Sequence, residues 1–286
     1  MALLTIIENP EKGKWANHLT RPADHSASLE APVRKILEAV KSGGDKAVNT
    51  YSMEYDGIGF NGKAVDPAEF DEAENKLEEK LKTAILQAAK NISAFHNSQL
   101  LPEPVVETMP GVKCWRKPLA IEKVGLYIPG GTAPLFSSLL MLGIPARIAG
   151  CSEIVVCTPP QKDGNVHPAI LYAAKITGIR KLFRVGGVQA IAAMAYGTES
   201  VPSVYKIFGP GNQWVTQAKK LIQMEGISID MPAGPSELAV YADDGADQRL
   251  CTGTFDPCLP ECRKDGRRSS QCGFGFHRLL HTGNSG

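Results

Sequence analysis

No long run of one charge, no long apolar run and no paired-cysteine motif occurs in this sequence, and each absence removes a class of function. The 286 residues carry 31 Lys and Arg against 30 Asp and Glu, a formal net charge of +1. Without a basic or acidic block there is no electrostatic footprint for nucleic acid or for an anionic membrane surface. No apolar stretch reaches the roughly 18 residues that a spanning helix requires. Residues 1–10 lack the charged lead, the apolar core and the cleavage site of a signal peptide. A soluble, cytoplasmic protein is the expectation. With 43% hydrophobic and 21% charged residues, the chain can bury a large core, and its length suits two compact units better than one.

The cysteines are sparse and then dense. Cys114, Cys151 and Cys157 are scattered, as thiols in a reduced compartment are, whereas Cys251, Cys258, Cys262 and Cys272 crowd the C-terminal tail. A zinc site is one reading of the crowding, but no C-x2-C pair supports it. The other reading is that the tail is not a selected part of the fold.

Residues 1–25 read as an N-terminal arm. Residues 31–51 read as helices, with Val33, Ile36, Leu37 and Val40 on one face and a break at Gly43-Gly44. A long helix is expected next. Asp66 is its N-cap, Pro67 suits the first turn, and Glu69 completes a capping box. Phe70, Ala73, Leu77, Leu81, Ile85, Ala88, Ile92 and Phe95 then recur at steps of three and four, a single buried stripe ending near Ser98.

After Pro102 short β-like runs alternate with helical ones. VGLYI, EIVVCT, KLFRVG, SVYKIFG and SELAVYA are separated by SSLLMLGIPARIA, HPAILYAAKITG, VQAIAAMAYG and NQWVTQAKKLIQMEG. This alternation predicts an α/β fold with a mostly parallel, Rossmann-like sheet, in which ligands bind beyond the carboxyl ends of the strands. Four crossings end in Gly/Pro turns: Pro129-Gly130-Gly131-Thr132, Gly186-Gly187-Val188-Gln189, Gly209-Pro210-Gly211-Asn212 and Pro232-Ala233-Gly234-Pro235-Ser236. Glycine lets backbone amides approach a phosphate or ribose, and a following helix N-terminus favours negative charge. Tight βα turns need glycine for structural reasons as well. Four such turns, each with a polar side chain, point to a nucleotide-sized site. None is a G-x-G-x-x-G fingerprint or a P-loop, so spacing does not name the nucleotide.

The segments VGLYIPGGTAPLFSSLLMLGIPARIAG, RVGGVQAIAAMAYGT, KIFGPGNQWVTQAKK and IDMPAGPSELAV closely resemble histidinol dehydrogenase, and the likeness runs from about residue 3 to about 247. The resemblance implies two Rossmann-like domains, an aldehyde-dehydrogenase-like body and a homodimer. It also implies two NAD-dependent oxidations taking L-histidinol to L-histidine, the last step of histidine biosynthesis, with zinc holding the substrate. On that architecture, 26–126 with 237–247 form a first, incomplete α/β domain and 127–236 a Rossmann-like NAD-binding domain. Tyr127, Gln189 and Asn212 match the family's NAD-contacting residues, and Ser236 matches its substrate-contacting serine. Each has a plainer reading: a strand-end core residue for Tyr127, a helix-initiating turn for Gln189 and Asn212, an N-cap hydroxyl for Ser236.

The family's zinc ligands and its catalytic Glu-His pair follow that serine, and the resemblance fades at residues 241–247. The remainder, 248–286, contains no Q-A-E-H segment and no Glu-His dipeptide, and it shows neither helical nor strand period. Codons compatible with residues 272–278, moved by one base, encode Val-Ala-Leu-Val-Ser-Thr, a strand pattern that makes a frame-shifted reading one account of this tail. The expectation is a disordered tail, an open edge and uncovered apolar surface on the first, incomplete α/β domain that favour aggregation, and a chain with little or no turnover, since acid–base catalysis alone is worth about 10²–10⁴-fold. The alternative is a non-catalytic NAD-binding fragment or pseudoenzyme. A cysteine-nucleophile dehydrogenase is a third, weaker reading, because Cys114, Cys151 and Cys157 have no neighbouring base in sequence.

Overall fold

The computed structural model describes residues 10–16, 26–100, 104–130 and 133–232. Contacts divide the chain into two units, 1–23 with 234–286, and 24–233. Of the first unit only residues 10–16 are described. They hold a 3-10 turn over Lys12–Lys14, beside which the Trp15 indole donates to the Pro10 carbonyl at 2.8 Å. The expected strand 236–242, Ser236 and the cysteine-rich tail lie outside the described residues.

The second unit begins with helix α1, Ser26–Tyr55, in which Gly44 alone leaves helical geometry, at φ +52°. Val33, Ile36, Leu37 and Val40 are all buried, as their spacing requires. Beyond the kink, the Asp45 amide donates to the Glu199 carboxylate at 2.7 Å, so an anion from a distant loop meets the restarted helix.

The predicted long helix is two helices. Helix α2 covers Pro67–Asn75 and opens with the expected capping box, in which Asp66 accepts from Ala68 and Glu69 accepts from the Asp66 amide. Helix α3, Glu79–Asn97, starts afresh after a turn at Lys76. The break lets the two helices take different partners. Asp71 and Glu74 of α2 hold Lys175 at 2.8 and 2.6 Å, whereas α3 packs along the helix that follows the first sheet strand. The stripe consequently stops short: Ile85 is fully buried, and Phe95 is 64% exposed.

A hairpin that the sequence reading did not anticipate comes next, strands β1 (Val106–Met109) and β2 (Val112–Cys114), turning at Gly111 and exposed throughout. Then the α/β repeat begins. Strands β3 (Lys123–Tyr127), β4 (Glu153–Thr158), β5 (Lys181–Arg184), β6 (Lys206–Phe208) and β7 (Ser228–Ile229) alternate with four helices. These are α4 (Phe136–Ile148), α5 (Pro168–Thr177), α6 (Gly187–Tyr196) and α7 (Gln213–Met224). All sheet pairings are parallel and the spatial order is β5-β4-β3-β6-β7. That is the five-stranded Rossmann order 3-2-1-4-5.

Each face of the sheet has its own core. Helices α1, α6 and α7 cover one face over Val155, Cys157, Ile191, Met194 and Ile207. Helices α2 to α5 cover the other over Leu126, Ile128, Leu140, Val156 and Leu182. Strands buried on both faces read as near-continuous apolar runs, which is why EIVVCT is legible as a strand. The β5 edge of this sheet is partly covered: Ala64 bridges to Phe183 and the Val65 amide donates to the Leu182 carbonyl at 2.8 Å.

Candidate functional site at the carboxyl rim of the sheet

In this strand order the chain runs outward in opposite directions from β3 and β6. The two crossings after those strands therefore diverge, and in sheets of this order the crevice beyond those carboxyl ends is where ligands bind. Tyr127 is the last residue of β3, and Asn212 precedes α7 on the crossing from β6. Gln189 lies in the first turn of α6, after β5.

The glycine turns after β3, β5 and β6 meet along this rim, and packing accounts for most of their described glycines. A Cβ on Gly130, after β3, or on Gly186, after β5, would come within 2.6 Å of the Pro159 side chain beyond β4. Gly209, at φ +130°, has no room for a side chain because a Cβ would overlap the Tyr127 carbonyl. These glycines bring neighbouring strand ends together, which is the structural reading of the motif.

The polar side chains are more informative. The Tyr127 hydroxyl accepts from the Gly187 amide at 3.1 Å, which joins the end of β3 to the start of α6. Burial pushes the Tyr127 phenol up to about 12, so it stays protonated across the physiological range. Gln189 is buried at 1% exposure, and its Nε2 donates to Asp56 Oδ2 at 3.3 Å. Burial also raises the Asp56 carboxyl above its ordinary value, and the Gly186 amide acts in the opposite direction. Tyr127 and Gln189 thus share one buried polar corner with Gly187 and Asp56. Asn212 stands apart from that corner, is exposed, and caps α7 by accepting from the Val215 amide at 3.0 Å.

Two further residues shape the rim. Lys219 of α7 is 5% exposed, donates to the Gly209 carbonyl at 2.9 Å and pairs with Asp230, just past β7. The other Asp230 oxygen accepts from the Gly209 amide at 2.8 Å. Both sides of the Gly209 backbone are therefore held by one buried ion pair. Sequence reasoning missed this pair and Asp56. The signal for Lys219 was present: it falls on the buried face of α7 with Val215, Ala218 and Ile222, where a lysine needs a partner. Asp56 had no local signal, because its role comes from a contact 133 residues away.

Among the described residues, the cysteines contribute no nucleophile to this rim. Cys157 is fully buried and its thiol is pushed far above the ordinary range, Cys151 is raised by burial as well, and Cys114 sits exposed on β2. Among the described residues there is no group of three or more His, Cys, Asp or Glu able to hold a metal ion.

The family model for histidinol dehydrogenase matches residues 19–253. The chain belongs to the histidinol dehydrogenase family. It is 56% identical to the histidinol dehydrogenase of Bacteroides thetaiotaomicron over 244 residues, covering 85% of this chain and 57% of that protein. It is 51% identical to the Salmonella typhimurium enzyme over 253 residues, 86% of this chain and again 57% of the relative. The crystal structure of histidinol dehydrogenase from Elizabethkingia anophelis superposes with a TM-score of 0.80 at 45% identity, over 87% of this chain and 57% of that one. The chain thus spans little more than half the length of the histidinol dehydrogenases it matches. No helix among the described residues is long and apolar enough to cross a membrane.

Proposed function

We propose that this chain carries the NAD-binding part of a histidinol dehydrogenase, with Tyr127, Gln189 and Asn212 contacting the cofactor and Ser236 the substrate. The observation that supports the reading is the strand order β5-β4-β3-β6-β7, whose switch point falls between β3, which ends at Tyr127, and β6, which leads into the Gly209-Pro210-Gly211-Asn212 turn. The donor set fits a dinucleotide. Asn212 presents an exposed amide at the start of a 12-residue helix, and Gln189 brings a buried amide close to the rim. Asn212 hydrogen-bonds ribose or phosphate oxygens, and Tyr127 and the Lys219–Asp230 pair hold the two turns that line the crevice. When bound, NAD accepts the hydride. The chain's own residues bind and orient it.

The substrate L-histidinol, its oxidation in two steps to L-histidine, a homodimer, a cytoplasmic setting and a second Rossmann-like domain belong to the same proposal, through the family. Zinc does too, but the described residues supply no ligand set for it.

The test is a calorimetric titration of the full chain with NAD, followed by NADH formation on adding L-histidinol and zinc. Saturable NAD binding that weakens in Asn212→Ala and Gln189→Leu is the expected result. Each substitution should cost up to about tenfold in affinity, one hydrogen bond's worth. Absence of NAD binding by the parent chain refutes the reading. Binding without NADH formation assigns the chain a non-catalytic NAD-binding role.

A further inference from the structure

One polar atom of the rim is buried without a partner. Gln189 Oε1 makes no hydrogen bond, although the Gln189 side chain is sealed from solvent. Leaving a buried carbonyl unpaired is destabilising, so packing alone does not favour this arrangement. The cause is its neighbour. Gln189 Nε2 donates to Asp56 Oδ2, and an ionised carboxylate can only accept. With the amide nitrogen committed, the amide oxygen has to face the other way.

The rest of the corner has the same polarity. The Gly187 amide is taken by the Tyr127 hydroxyl, the Gly186 amide acts on the Asp56 carboxylate, and Asp56 brings a negative charge to the start of α6. A helix N-terminus normally attracts phosphate, but here a side chain of the protein already supplies the anion. An unpaired oxygen beside a carboxylate repels phosphate oxygens and attracts hydrogen-bond donors.

We infer that Asp56 positions Gln189 as an acceptor, so that this corner takes an uncharged O–H or N–H donor of the dinucleotide, a ribose hydroxyl or the nicotinamide carboxamide, and not its phosphates. The inference rests on the cofactor reading above and adds to it one residue and one ligand group. Asp56 acts through Gln189 and is a positioning residue.

Asp56→Asn tests this with almost no change of volume. Asparagine offers a donor as well as an acceptor, so Gln189 is released to turn and its oxygen can take the new amide N–H. The Kd for NAD should rise about three- to tenfold, the worth of one well-placed hydrogen bond. The Tm should stay level, because the turned amide pairs its oxygen and leaves its nitrogen unpaired in exchange. A residue that only held the fold together would move both in the damaging direction. ADP-ribose, which lacks nicotinamide, separates the donors: the same loss with ADP-ribose assigns a ribose hydroxyl or the adenine amino group, and a loss confined to NAD assigns the carboxamide. An unchanged Kd in Asp56→Asn, or a Tm that falls together with affinity, overturns the inference. A parent chain that binds no NAD overturns the cofactor reading and the ligand assignment with it, and the parent titration tells that case apart.

Discussion

At the level of single residues, the rim is held by Gly209 and by what grips it. Its φ of +130° is open to glycine, and the Tyr127 carbonyl occupies the space a side chain would need. The Gly209 amide and carbonyl would be unpaired inside the fold without Asp230 and Lys219. Lys219→Met keeps the length of the side chain but leaves the Asp230 charge and the Gly209 carbonyl without a partner. It should cost about 3 kcal/mol, the low end for breaking a buried pair, because Asp230 keeps 27% of its side-chain surface in solvent. Urea unfolding of the two proteins measures the difference. A loss under about 0.5 kcal/mol would place the pair with ordinary surface ion pairs.

At the level of elements, helix termini were the most legible features and helix continuity the least. The Asp66-Pro67-Ala68-Glu69 capping box forms as its sequence requires, because each of its bonds joins residues two or three apart. Glu69 also pairs with Arg184 at the end of β5, so the cap is tied to the sheet. Asp66→Ala should lose about 1 kcal/mol, and the change in denaturation midpoint at constant m-value reports it. The apolar stripe from Phe70 to Phe95 suits one helix as well as two. The turn at Lys76 arises because α2 lies along α5 while α3 lies along α4. The β1–β2 hairpin escaped notice for a different reason: it buries none of its residues, so no apolar alternation marks it.

At the level of the whole molecule, a parallel sheet sealed on two faces implies a gradient of local stability. Strands β3 and β4 lie inside the sheet with both faces covered, whereas the hairpin shares neither core. Amide hydrogen exchange should be slowest at 124–128 and 155–158 and fastest, among the described strands, at 106–114, by several orders of magnitude. Equal protection of hairpin and central strands would show that another surface covers the hairpin in solution.

The alternation of strands and helices, the capping box, the kink at Gly43-Gly44 and the glycine turns after β3, β5 and β6 are local patterns, and the order of residues determined them. Strand order, the partial covering of the β5 edge by Ala64, the meeting of Gly130 and Gly186 at Pro159, and the pairing of Asp56 with Gln189 join residues far apart in the chain. Local propensity carries no term for such contacts. They exist only once helices on two faces have fixed which strand ends stand side by side, and the tertiary structure alone decided them.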